Sequence, residues 1–189
     1  MKLCQIEGTI ATPRATPALN ADGISVKGCD FIYAPKGQAG EYSALAANPY
    51  RGCGHACEYC YVPQVLKMPR PELDAGAVER PNFIVHLTKD AAKYQSLGIT
   101  EQVMLSFTSD PYHPGDSSLT RKSLEVLIEH GLGFCTLTKG GTRSLRDLDL
   151  FRPDRDAFAS RVGIYQGPAV VRSRHVRALL PNRRQARDR

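Results

Sequence analysis

Apolar and polar positions along this chain set up an alternation of strand-like and helix-like stretches. A short apolar segment, Tyr42 to Ala47, is the first strand candidate. Val62 to Met68 predicts a helical turn stopped by Pro69 and Pro71. Phe83 to Leu87, with aromatic and β-branched residues in its first half, predicts a strand. Lys89 to Leu97 predicts a helix with Gly98 at its C-terminal cap. Gln102 to Phe107 (QVMLSF) predicts a buried strand that ends in the polar turn Thr108-Ser109-Asp110-Pro111. Leu119 to His130 is the clearest helix, with Leu124, Leu127 and Ile128 on one face and Gly131 as its stop. Phe134 to Thr138 is the next strand, ending at Lys139-Gly140-Gly141. Ser144 to Leu150 predicts a short helix, with Ser144 at the N-cap and Asp147 three residues on as a capping box.

Strands that alternate with helices favour an α/β fold with parallel strands joined by crossovers. Sites in such sheets sit at the carboxyl ends of the strands. Three strand ends are therefore the places to look: the loop after Ala47, Thr108-Ser109-Asp110, and Lys139-Gly140. Residues 1–41 lack a sustained period and form an irregular lead-in, residues 42–160 the α/β core, and residues 161–189 an arginine-rich tail of different character.

Composition narrows the class only modestly. With 189 residues and 42% apolar content, the chain is long enough for one domain with a core. It contains no apolar run of the roughly 18 residues that a membrane helix needs, and its first residues lack an apolar signal segment. The expected location is the cytoplasm, where clustered cysteines point to metal or catalysis rather than disulfides. The net charge of +6 belongs to the tail: residues 161–189 hold eight Arg and one acidic residue, whereas residues 1–160 carry 17 basic and 18 acidic side chains. The core charge gives no support for a nucleic-acid groove.

The loop after the first strand changes the picture. Asn48 to Pro63 reads NPYRGCGHACEYCYVP, with Cys53, Cys57 and Cys60 in a C-x3-C-x2-C spacing. Three thiolates on one short loop admit three readings. They could ligate three irons of a [4Fe–4S] cluster and leave the fourth iron open, unlike a four-cysteine ferredoxin site. They could hold a structural zinc together with His55 or the distant Cys29, although the partner knuckle that zinc sites usually show is missing. Or they could bind no metal.

This C-x3-C-x2-C loop, with an aromatic before its last cysteine, resembles the signature of the radical S-adenosylmethionine (SAM) superfamily. NPYRGCGHACEYCYVP, followed by SFTSDPYHP and LTKGG at the next strand ends, is similar to the branch related to spore photoproduct lyase, whose members are often called DNA repair photolyases. The likeness covers roughly Tyr42 to Leu150. It implies a (βα) barrel in which Cys53, Cys57 and Cys60 hold a [4Fe–4S] cluster and the open iron chelates SAM. Reductive cleavage of SAM to a 5′-deoxyadenosyl radical would follow, with electrons from a flavodoxin- or ferredoxin-like partner. The resemblance also implies that Tyr59 lies near the adenine and that Ser109 and Lys139 contact SAM, Lys139 otherwise reading as a solvated loop lysine. Asp110 reads equally as an acceptor for the SAM amino group or as a turn aspartate before Pro111. Tyr59 and Tyr61 match a tyrosine pair that assists radical return.

Two departures qualify the likeness. The hydrogen-donor cysteine of spore photoproduct lyase would fall at Phe107, which has no S–H to give, so repair of that lesion is not expected and the substrate is left open. Cys135, in the neighbouring strand, could substitute as the donor, but it reads more simply as a small buried core thiol. The superfamily core has six βα units and about three or four are countable here, so the expected barrel is partial, incomplete at its C-terminal side, as in a truncated or frameshifted member. The readings from other classes are an inactive cluster-binding remnant and a zinc-stabilised interaction module. His55 could shape the surroundings of the cluster but reads more simply as a loop residue, and His113 lies near the expected site and reads as a turn residue. His86 and His130 show no partner, and Cys4 and Cys29 read as simple thiols.

Overall fold

The structure, a computed structural model, describes residues 19–20, 22–152 and 154–160. In chain order its elements are β1 (Leu45–Ala47), β2 (Tyr50–Arg51), α1 (Val62–Leu66), α2 (Arg70–Asp74), β3 (Val78–Glu79), α3 (Phe83–Ser96), β4 (Gln102–Leu105), α4 (Ser118–Glu129), β5 (Gly133–Thr138) and β6 (Ala157–Ser160). Tight 3₁₀ turns cover Gly37–Glu41 and Gly141–Leu150. Four strands make one parallel sheet in the order β1-β4-β5-β6, while β2 and β3 form a separate antiparallel ribbon. The expected α/β class with a parallel sheet is what the chain adopts.

Register explains the burial. Leu45 pairs with Val103, Val103 with Phe134, and Ala47 with Leu105, which pairs with Thr136. Leu45, Ala47, Val103, Leu105 and Phe134 share one sheet face and join one core with Leu87, Ala91 and Tyr94 of α3 and Leu124 and Leu127 of α4. All three residues of β1 are fully buried, as expected for strands covered on both faces. Both long helices end the same way. Gly98 and Gly131 take left-handed backbones after α3 and α4. Ile99 N–H bonds back to the Tyr94 carbonyl, and Leu132 N–H to that of Leu127. These are the Schellman ends that the two glycines predicted.

Some expectations need correction or addition. Phe83–Leu87 is the first part of α3, not a strand. Phe83, Leu87, Ala91 and Tyr94 recur at helical spacing and all are buried, so a long apolar stripe overrides the local β-propensity of Phe-Ile-Val. The helical turn expected before Pro69 is α1, which ends at Leu66, and Pro69 and Pro71 then also open α2, because a proline in the first helical turn forfeits no needed N–H. The segment from Gly141 to Leu150 is 3₁₀, and Ser144 donates back to the Gly141 carbonyl (2.7 Å) instead of capping a helix. Strand β6 was not expected at all. Finally, the described part of the lead-in belongs to the core: Val26 and Ile32 are fully buried, and Tyr33 bridges Ala46 beside β1. Asp90 of α3 anchors it by accepting the N–H groups of Phe31 (2.9 Å) and Ile32 (3.1 Å). The arginine-rich stretch 161–189, Cys4 and residues 1–18 lie outside the described residues. Among the described residues, no helix is long and apolar enough to cross a membrane.

Candidate functional site

The carboxyl ends of β1, β4 and β5 lead into one cluster of loops, and the expected site residues meet there. After β1 the chain runs through β2 into the cysteine loop, which turns sharply enough to need left-handed backbone at Gly52, Gly54 and Ala56. Gly52 has no alternative: a Cβ there would stand 2.1 Å from the Gly76 carbonyl oxygen. The Cys53 and Gly54 N–H groups share the Leu73 carbonyl at 3.0 and 3.3 Å. Arg70 of α2 donates to the Cys57 carbonyl. Val62, Met68 and Leu73 form a small apolar floor against which Cys53 and Cys60 pack.

The loop is then stitched to the end of β4. Ser109 donates from Oγ to the Gly52 carbonyl (2.6 Å), and the Tyr61 hydroxyl donates to the Phe107 carbonyl (2.7 Å). Asn48 Oδ1 accepts Phe107 N–H (3.0 Å), while its amide donates to the Tyr33 hydroxyl (2.6 Å). The end of β5 reaches the same loop through Lys139, whose ammonium bonds the Tyr59 hydroxyl and lies 4.0 Å from that ring's centre. Tyr59 and Tyr61 remain largely exposed.

Asp110 sits at the centre of these contacts, nearly buried. Its Oδ1 accepts the Tyr112 N–H (2.7 Å) and the Thr138 hydroxyl, its Oδ2 accepts the Lys139 N–H (2.7 Å), and His55 Nε2 stands 3.3 Å from Oδ2. Burial pushes this carboxyl up, but hydrogen bonds from His55, Thr138, Lys139 and Tyr112 outweigh it and hold it below the ordinary carboxylate value. Burial also pushes the Cys53 thiol up to about 11, against the pull of hydrogen bonds to the His55 and Asp110 backbone.

Cys53, Cys57 and Cys60 are each half-buried, and none is in a disulfide. Among the described residues, no three Cys, His, Asp or Glu side chains converge as ligands of a single ion. Cys29, the distant zinc-ligand candidate, lies instead against Asp90 and Lys93, and burial drives its thiol to about 12. Cys135 is half-buried on β5, level with Met104 of β4 and Ala157 of β6, so it is less enclosed than its sequence suggests.

Two histidines are more enclosed than the sequence suggests. His55 is 12% exposed and faces Asp110, although it reads as an ordinary loop residue. His113 is fully buried, edge-on to the Tyr50 ring at 4.5 Å, with Nδ1 accepting the Gly115 N–H (3.1 Å). Its place between two prolines, in DPYHP, hides that burial. His86 stacks on Phe31, and His130 meets the Val126 carbonyl of its own helix, so both are structural.

Burial lowers the His113 pKa from its ordinary 6.5. The unfolded chain then binds a proton that the folded chain resists, so stability falls as pH drops through the unfolded value. The melting temperature is expected to decline between pH 7 and 5, and His113→Gln is expected to flatten that decline. An unchanged slope in the variant would remove His113 from the explanation.

Comparison with known proteins adds little beyond this geometry. No family model matches the chain, and no solved structure matches it. It is 28% identical over 148 residues to uncharacterized protein ORF301 of Acidianus two-tailed virus, a match covering 74% of this chain and 48% of that protein. The chain thus spans about half the length of the curated relative it resembles.

Proposed function

We propose that this chain is a radical SAM protein whose cysteine loop holds a [4Fe–4S] cluster with SAM beside it. The observation that carries the reading is the meeting of three strand ends: the C-x3-C-x2-C loop, Ser109 and Lys139 face one another at the carboxyl edge of a parallel sheet. The four-strand sheet is the kind of framework that one side of a (βα) barrel would use.

The donor set fits a cluster better than a zinc ion. Thiolates on one zinc stand about 3.8 Å apart, a consequence of Zn–S bonds near 2.3 Å in a tetrahedron. Cluster ligands bind separate irons, so three cysteines on one short loop suffice for it, whereas the partner knuckle usual in zinc sites is missing. Cys53, Cys57 and Cys60 would be the ligands, with Val62, Met68 and Leu73 as an apolar wall that limits water. When bound, the cluster supplies the electron that cleaves SAM reductively. Lys139 offers a positive charge for the SAM carboxylate. Tyr59 offers a ring for the adenine, and Ser109 a hydroxyl at the same edge. Tyr61, tied to the Phe107 carbonyl, would stand between the loop and the substrate side.

Anaerobic reconstitution followed by iron and sulfide analysis is the direct test. The expected result is about four iron and four sulfide per chain. With dithionite and SAM, 5′-deoxyadenosine should then appear. Zinc at one equivalent without sulfide would overturn the proposal. A fully loaded cluster that never cleaves SAM would leave a binding remnant and overturn the enzymatic half.

A further inference from the structure

Asp110 invites assignment as a ligand of the SAM amino group, but both its oxygens already accept hydrogen bonds from the protein. An ionised carboxylate offers about four lone-pair sites. Here Oδ1 faces the Tyr112 N–H and the Thr138 hydroxyl, and Oδ2 faces the Lys139 N–H and His55 Nε2. Three donors hydrogen-bond to it, and His55 Nε2 lies 3.3 Å away without completing a hydrogen bond, so the neighbours come from three places: the cysteine loop, the loop after β4 and the end of β5. No other described carboxylate ties those three together. Asp156 is its counterpart away from the site, accepting the Phe134 N–H (3.1 Å) and the Arg152 N–H (2.9 Å) near the start of β5.

We infer that Asp110 is a positioning residue: its carboxylate locks the three strand-end loops into one arrangement and thereby sets Lys139 against the thiol loop. The effect on SAM rests on the function proposed above; the locking does not. The Lys139 side chain leaves a backbone whose N–H is held by Asp110 and whose preceding residue, Thr138, is held by the same carboxylate. Releasing that anchor frees the lysine without touching it. Side chains that hold functional groups from behind act in this way.

Asp110→Asn is the test, with Asp156→Asn as control. An amide side chain has an acceptor on one side only, so at least one N–H loses its partner and meets an NH₂ group instead. In the metal-free protein, hydrogen exchange at the Lys139 and Tyr112 amides is expected to accelerate about tenfold or more in Asp110→Asn. Asp156→Asn should leave those two amides at the native rate even where its melting temperature falls as far. After reconstitution, Asp110→Asn should keep its iron content while its dissociation constant for SAM rises about tenfold; Asp156→Asn should bind SAM like the native chain.

Unchanged exchange at Lys139, or equal acceleration in both variants, overturns the inference. So does native SAM affinity in Asp110→Asn when the native chain binds SAM. If the native chain binds no SAM, the functional reading fails on its own, and the exchange result alone decides the locking role. Should Asp110→Asn not fold, Thr138→Val carries the same test by removing one donor, with faster Lys139 exchange and retained cooperative melting as the expected outcome. Native exchange in that variant overturns the inference.

Discussion

Cys57→Ala is expected to empty the site while leaving the fold in place. In the metal-free protein, the Cys57 thiol makes only a long contact (3.9 Å) with the His55 carbonyl. Its loss should therefore change stability by no more than about 0.5 kcal/mol. A cluster that depends on three thiolates tolerates no such loss. Iron and sulfide should fall from about four each per chain to background, and 5′-deoxyadenosine formation with them. Cys29→Ser supplies the contrast, since that thiol sits against Asp90 and Lys93, and its cluster should assemble normally. A Cys57→Ala protein that retains full iron and sulfide would sink the assignment of this loop as the ligand set.

The second large effect is structural. Gly52→Ala forces a Cβ to within 2.1 Å of the Gly76 carbonyl oxygen, at a φ of +81°. The neighbour is backbone, so a side-chain rotation cannot relieve the contact. A left-handed alanine alone costs about 1–2 kcal/mol, and the collision adds to it. The expected loss is about 3 kcal/mol or more, read as a lower urea midpoint. Gly37→Ala separates the two contributions: its φ is +62°, but nothing lies within 4 Å of the added carbon. It should lose only the conformational part, about 1–2 kcal/mol. Equal losses in the two variants would show that the approach of Gly52 to Gly76 does not constrain the loop. The same substitution should also disturb the cysteine loop, because the Gly52 carbonyl receives the Ser109 hydroxyl and Cys53 follows directly.

Much of the site was legible because its signals are local. Three cysteines in eight residues, and polar turns just after apolar strands, are properties of consecutive residues. The end glycines Gly98 and Gly131 were legible for the same reason, since a helix stop depends on the backbone freedom of one residue. Strand β6 was invisible: Ala157–Ser160 is short and only mildly apolar, and it becomes a strand by pairing with β5. The Phe83–Leu87 misassignment arose because five residues of Phe, Ile, Val, His and Leu suit either period. The buried stripe that decides for helix extends to Tyr94.

By itself, then, the sequence determined the α/β alternation, the cysteine spacing and the three strand ends worth examining. Only the tertiary structure decided how those ends meet. Residues 138 and 139 lie almost thirty positions after Asp110 and His55 lies fifty-five before it, yet one buried carboxylate draws them together. Local pattern specifies periodicity and turns because those depend on neighbours in sequence. The hydrogen bonding of Asp110 and the burial of His113 depend on which distant groups displace water, which is settled when the sheet and its loops pack.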